Sequence, residues 1–276
     1  MDAGSRNALN GLAVPLSRLQ SGLLRLLAMQ RAPDSYGAGG IALNRDGPRF
    51  SADIDIFQDG DERLVAIAEA GFKVTWLPAR GTGKRAILVE GDGETTQLEW
   101  VADAEFRFFP ALPDDLFGNV LHPADLATNK ASAAADRRVS RDVVDLVTIH
   151  EAILPLGAVI TAAVGRFPGM TPEEMLDEIR RHGTFTADEF RVLATEKPLD
   201  PPWLHQRIKA MLDDAAGFIA RLPSEAVGVL FLETDKPVQP DPQNLGRYRR
   251  HEGVRRGHWP SSSEIGTAML DRYEKS

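Results

Sequence analysis

No cysteine occurs among the 276 residues of this chain, which removes disulfides, thiolate zinc sites and cysteine nucleophiles together. No uninterrupted apolar run approaches the ~18–20 residues that a membrane-spanning helix needs. The most apolar early stretch, Gly11–Met29, is broken by Arg18, Gln20 and Arg25, so it lacks the continuous apolar core of a signal peptide. None of the six histidines stands at metal-ligand spacing from another, and Gly-x-Ser-x-Gly and Walker patterns are missing. A formal net charge of -8 excludes a protein that coats nucleic acid over its whole surface, although a local basic patch remains compatible with it. The expectation is a protein with no membrane segment, located by default in the cytoplasm.

What is present is ordinary globular material, 43% hydrophobic and 26% charged, long enough for one large domain or two modest ones. Leu16, Leu19, Leu23, Leu24 and Leu27 recur at helical spacing and predict an amphipathic helix over about Pro15–Gln30. SYGAGGIAL then gives a short apolar segment, a glycine pair and the start of a second short helix. Asp46-Gly47-Pro48 is a turn, and Phe50–Phe57 alternates as a strand. A helix is expected over Asp61–Ala70, then strands over Phe72–Leu77, Arg85–Val89 and Thr95–Val101, with hairpin turns at Gly81-Thr82-Gly83 and Gly91-Asp92-Gly93. From Pro123 the pattern turns helical. Ser140 is the expected N-cap of one helix, and Thr171-Pro172 and Thr186-x-x-Glu189 open two more. Val227–Phe231 fits a late strand or an apolar helix end. After Lys236 a proline-rich stretch and a basic run predict a loosely packed tail.

The chemistry concentrates in Tyr36–Phe57. On a strand, residues two apart share a face, so Asp53 and Asp55 project together while Ile54 and Ile56 face the core. Two carboxylates on one face repel each other unless a cation sits between them, and a metal that also binds phosphate oxygens is the simplest explanation. A solvated surface strand is the plain alternative, weakened by the apolar neighbours Ile54, Ile56 and Phe57. Upstream, Gly39-Gly40 opens a helix, where backbone amides bind phosphate and glycine permits close approach; a simple tight turn is the plain reading.

The glycine pair followed by Ser51-x-Asp53-x-Asp55 resembles motif I of the nucleotidyltransferase-fold superfamily, and within it the AbiEii-like toxin branch. A second block resembles that branch's later motifs: Lys130 on one helix, then Arg137, Arg141, Asp142 and Asp145, with Arg141 where a lysine is more usual. The resemblance covers about residues 36–146. It implies an α/β (α+β) protein: a minimal nucleotidyltransferase fold with a short mixed sheet over 1–120, a helical domain over 121–235 that closes the nucleotide site, and the tail over 236–276. It implies transfer of a nucleoside monophosphate from an NTP to an acceptor hydroxyl, dependent on Mg2+. RNA, including tRNA ends, is the implied acceptor and a separately encoded antitoxin the implied partner; a small-molecule acceptor such as an antibiotic stays open.

The resemblance also distributes roles. Asp53 and Asp55 are the expected metal ligands and catalytic carboxylates, with Glu99 as a third ligand and Asp103 as its fallback. Glu99 equally fits one exposed position of an alternating strand. Gly39, Gly40, Ser51 and Arg141 are expected against the nucleotide. Lys130 is expected at the β- and γ-phosphates, and Asp145 positions or deprotonates the acceptor hydroxyl or orients Lys130. Taken alone, a charge-rich helix is a solvated face, with Arg141 and Asp145 in four-apart ion-pair geometry. The basic run Arg247–His258, interleaved with Tyr248 and Trp259, suits an RNA contact or a disordered terminus. A nucleotidyltransferase-like module that binds without turnover is the non-enzymatic rival.

Overall fold

The hydrophobic pattern of β2 (Asp53–Gln58) decides which way its sheet faces. Ile54 and Ile56 are fully buried, while Asp53, Asp55 and Phe57 alternate on the other face with partial exposure. A computed structural model describes residues 16–30, 35–58, 72–78, 84–89, 93–102, 106–167 and 169–270. The helix expected over 61–70, most of the two hairpin turns and Asp103 lie outside the described residues.

β2 is central in a seven-stranded mixed sheet. The order is β3 (Lys73–Leu77), β4 (Lys84–Val89), β5 (Thr95–Ala102), β2, β1 (Ser35–Ala38), β8 (Gly118–Val120), β7 (Leu112–Asp114). The β2–β5 and β1–β8 pairs are parallel and the rest antiparallel. The first helix, α1 (Arg18–Gln30), packs Leu23, Leu24 and Leu27 with Ile54, Ile56, Leu88, Leu98 and Trp100 in one apolar cluster. One face of the sheet is therefore closed by the helix that the leucine spacing predicts. Strands β3, β4 and β5 start or end within a residue of their expected bounds.

After β6 (Phe106–Arg107) the chain builds its helical part. It comprises α3 (Pro123–Asp136), α4 (Ser140–Ala152), α5 (Leu156–Ala163), α6 (Pro172–His182), α7 (Ala187–Arg191) and α8 (Pro201–Ile219) around a second, larger core. Reciprocal capping boxes start α6 and α7: the Thr171 and Thr186 hydroxyls accept from the backbone N–H of Glu174 and Glu189. Ser140 does not cap α4; Val139 holds that position and Ser140 is the first helical residue. No single described helix is long and apolar enough to cross a membrane.

The expected loose tail is corrected by the structure. Val227–Phe231 leads into a strand, β9 (Val229–Glu233), which pairs with β10 (Lys236–Val238) and β11 (Arg249–Glu252) on its two sides. Thr234 and Asp235, both with positive φ, form the two-residue hairpin turn between β9 and β10. The boundary drawn at 235/236 therefore cuts through a hairpin. β12 (Val254–Arg255) pairs with β6, and Met269 and His251 are buried against the body. Composition misled here because two of the basic side chains find acidic partners on the β9–β10 hairpin: Arg247 with Glu233 at 2.7 Å and Arg249 with Asp235 at 2.5 Å. A few apolar anchors, among them Tyr248, Leu245 and Ile265, suffice to hold the segment.

Candidate active site

The face of β2 opposite the α1 core carries the carboxylates, and strand register supplies their neighbours. Parallel pairing sets Asp53 beside Gln97 and Asp55 beside Glu99; antiparallel pairing sets Glu99 beside Arg85 of β4. Asp55, Glu99 and Arg85 thus form one row across three strands. Arg85 Nε donates to Glu99 Oε1 at 2.7 Å, and Gln97 Nε2 donates to the same oxygen at 2.8 Å. From α4, Arg141 Nη1 reaches Asp53 Oδ2 at 3.4 Å. A cavity of about 400 Å³ opens here, lined by Asp53, Glu99, Gln97, Val101, Arg85, Arg137 and Arg141. Asp55 adjoins it in the strand row without lining it.

Asp55 is the most perturbed of these carboxyls. Desolvation by the surrounding protein, then the charges of Glu99 and Asp53, push its pKa up to about 6 against the opposing pull of Lys130 and Arg141. No described cation pairs with it as Arg141 pairs with Asp53.

The glycine pair begins a short helix, α2 (Gly39–Leu43), as expected. Its glycines answer to the protein's own side chains. Gly39 has φ +66°, and a Cβ there would lie 1.8 Å from Asp55 Oδ2. A Cβ on Gly40 would lie 2.7 Å from Arg49 Nη2. Ser51 precedes the strand, and its hydroxyl donates to the Asp53 carbonyl at 3.2 Å.

Two expectations for the second block are corrected. The Lys130 ammonium is buried and lies 2.9 Å from Asp142 Oδ1 and 3.0 Å from Asp145 Oδ2, outside the cavity lining. It is an internal counterion here and not an open phosphate ligand. Asp145 is fully buried and receives Arg49 Nε and Nη2 at 2.9 and 2.8 Å and Asn44 Nδ2 at 2.9 Å. Burial opposes its ionisation, but Lys130, Arg49 and Asn44 outweigh it and hold the carboxyl below the usual range. Asp142 is held low in the same balance, by Lys130 and by Arg137 at 2.8 Å. A carboxylate so occupied is no proton acceptor, so of the roles expected for Asp145 only the pairing with Lys130 remains. Nor does Arg141 pair with Asp145; it turns to Asp53.

The network has a positional consequence. It joins the C-cap of α2 (Asn44), the segment before β2 (Arg49), α3 (Lys130) and α4 (Asp142, Asp145). Arg141 adjoins Asp142 in sequence, so fixing α4 on the sheet carries Arg141 to Asp53. Sequence reasoning missed Arg49, Asn44 and Arg85. Arg49 left one signal, a charged residue beside a turn and just ahead of an apolar strand.

Magnesium, implied by the motif resemblance, suits the donors in kind. Mg2+ takes carboxylate oxygens and needs only one or two from protein, keeping waters and substrate oxygens for the rest. The Asp55 pKa is raised first by burial and then by the charges of Glu99 and Asp53, and a cation at the carboxylates would offset all three. Among the described residues no group of three or more His, Cys, Asp or Glu side chains could hold a metal ion. The fitting set is therefore the Asp53–Asp55 pair; Glu99, expected as a third ligand, is held by Arg85 and Gln97.

No family model and no curated protein matches the chain. Among solved structures, MenT4, a nucleotidyltransferase toxin from Mycobacterium tuberculosis H37Rv, resembles it with a TM-score of 0.50 at 17% identity, over 75% of this chain and 83% of that one. JHP933 from Helicobacter pylori gives a TM-score of 0.45 at 14% identity, over 75% and 95%. The motif resemblance names a narrower branch than this likeness reaches. With its mixed sheet and following helices, the chain shares the fold of MenT4.

Proposed function

We propose that the chain is a nucleotidyltransferase that moves a nucleoside monophosphate from an NTP to an acceptor hydroxyl, and that it acts as the toxin of a toxin–antitoxin pair, with RNA as acceptor. One observation carries the reading: Asp53 of the β2 carboxylate pair lines a cavity whose wall also presents Arg85, Arg137 and Arg141, with Asp55 adjoining it on the same strand face. Carboxylates for a cation and guanidinium groups for phosphate in one recess are what a metal–polyphosphate substrate requires. Asp53 and Asp55 would hold Mg2+, which supplies charge stabilisation at the α-phosphate. Arg141 binds phosphate, as its place in the second motif implies. Lys130 and Asp145 support the reaction by fixing α4, not by touching substrate. In the transfer, the acceptor oxygen bonds the α-phosphorus, the bond to the bridging oxygen breaks, pyrophosphate leaves and the hydroxyl proton passes to solvent. The toxin class rests on the motif resemblance and on the likeness to MenT4.

Incubating the purified protein with each labelled NTP, Mg2+ and total cellular RNA tests the proposal. Label retained on RNA, and lost in Asp53→Ala, supports it. Labelled NTP that binds without transfer to any acceptor favours the rival, a binding module without turnover, for which the internal neutralisation of Lys130 and Asp145 speaks.

A further inference from the structure

We propose that Arg85 couples cation binding to nucleotide binding: it neutralises Glu99 in the free protein and turns to the substrate's phosphates once a divalent cation sits at the carboxylates. This deepens the nucleotide reading above and rests on it.

The strand register makes the arrangement. Arg85, Glu99 and Asp55 occupy one row on β4, β5 and β2, so a single guanidinium stands at the end of a carboxylate pair. Arg85 engages Glu99 through Nε at 2.7 Å and Gln97 Oε1 through Nη2 at 3.3 Å, and it lines the same cavity as Asp53 and Arg141. Its Nη1 has no partner among the described residues. The cavity thus contains two carboxylate–guanidinium pairs, Glu99 with Arg85 and Asp53 with Arg141.

Each ligand alone meets an obstacle in this arrangement. A divalent cation by itself finds guanidinium charge beside the carboxylates that attract it. A polyphosphate by itself approaches two carboxylates and must draw both arginines away from them. Together the ligands exchange partners with the protein: Asp53 and Asp55 face the cation, guanidinium groups face phosphate, and Glu99 keeps Gln97 while the cation's charge nearby replaces that of Arg85. Arginine suits this swap because its planar fork matches carboxylate and phosphate alike. Coupling of this kind is reciprocal, so each ligand tightens the other by the same factor.

The test measures binding, with Mn2+ followed by electron paramagnetic resonance and the four non-hydrolysable α,β-methylene NTPs titrated with Mg2+ or with EDTA. In Arg85→Gln, Mn2+ alone should bind more tightly, while the preferred Mg–nucleotide complex should weaken by about tenfold, the scale of one lost charge-assisted hydrogen bond. Glu99→Gln should strengthen metal-free nucleotide binding by releasing Arg85, and Arg85→Lys should fall between wild type and Arg85→Gln. Opposite signs for the two ligands are the signature, since a merely structural role would weaken both. If both weaken together in Arg85→Gln, or neither changes, the coupling role is refuted while the nucleotide reading stands. Wild-type protein without affinity for any Mg–nucleotide complex would overturn that reading, and this inference with it.

Discussion

Lys130→Ala separates the two roles that sequence and structure give this residue. The side chain is 8% exposed, and its ammonium bridges Asp142 and Asp145 at 2.9 and 3.0 Å. Removing one member of a buried ion pair costs roughly 3–5 kcal/mol when it strands the partner. Here neither carboxylate is stranded: Asp142 keeps Arg137, and Asp145 keeps Arg49 and Asn44. A loss below that range, about 2 kcal/mol and on the scale of one charge-assisted hydrogen bond, is therefore expected, equivalent to a fall in Tm of about 3 °C for a chain of this length. Differential scanning calorimetry reads the loss, and nucleotide titration of the still-folded variant reads the other role. Unchanged Tm with nucleotide affinity abolished would refute the internal-counterion account and return Lys130 to the phosphates.

Four other outcomes follow from the geometry. Asp55→Asn should abolish nucleotide transfer yet keep or raise Tm, because it removes a charge opposed first by burial and then by repulsion from Glu99 and Asp53; a strongly lowered Tm contradicts the electrostatics described. Gly39→Ala should impair both activity and stability, since φ is +66° and the new methyl would meet Asp55 Oδ2, whereas Gly246→Ala, with open space around it, should behave as wild type in both assays. His122 and His251 stack on Phe109 at 3.9 and 4.6 Å; burial depresses their pKa values to about 3 and about 4. The unfolded chain then takes up their protons first, so their contribution is complete above about pH 6.5 and is lost as acid approaches those values. Asp125, raised by burial to about 7, acts in the opposite direction equally in wild type and variant, so urea midpoints should fall less between pH 7 and 5 in His251→Gln than in wild type; equal falls exclude His251 as a source. Truncation after Lys236 should destabilise the whole protein, as it strips β11 from β9 and exposes Leu230 and Leu232; a soluble, equally stable product would restore the loose-tail reading.

Much of this was legible in the chain because the signals are local. The leucine spacing of α1, the alternation around Asp53 and Asp55, the two capping boxes and the glycine-led α2 each depend on residues a turn or a pleat apart. Those signals fixed the element types, the facing of the carboxylates and the candidate chemistry. Tertiary structure decided the partners. Nothing local tells that Arg85 will stand in a row with Glu99 and Asp55, because that row comes from two strand registers. Nothing local tells that Lys130 will meet Asp142 and Asp145, or that Arg49, 96 residues from Asp145, will clamp it. A charged side chain reads identically in sequence whether its counterion is substrate or protein. The tail shows the same limit: its arginines announce a basic segment, while Glu233 and Asp235 on the β9–β10 hairpin make it part of the body. Sequence determined which charges this protein carries and on which faces; only the packing of sheet against helices determined which of them remain free to meet a ligand.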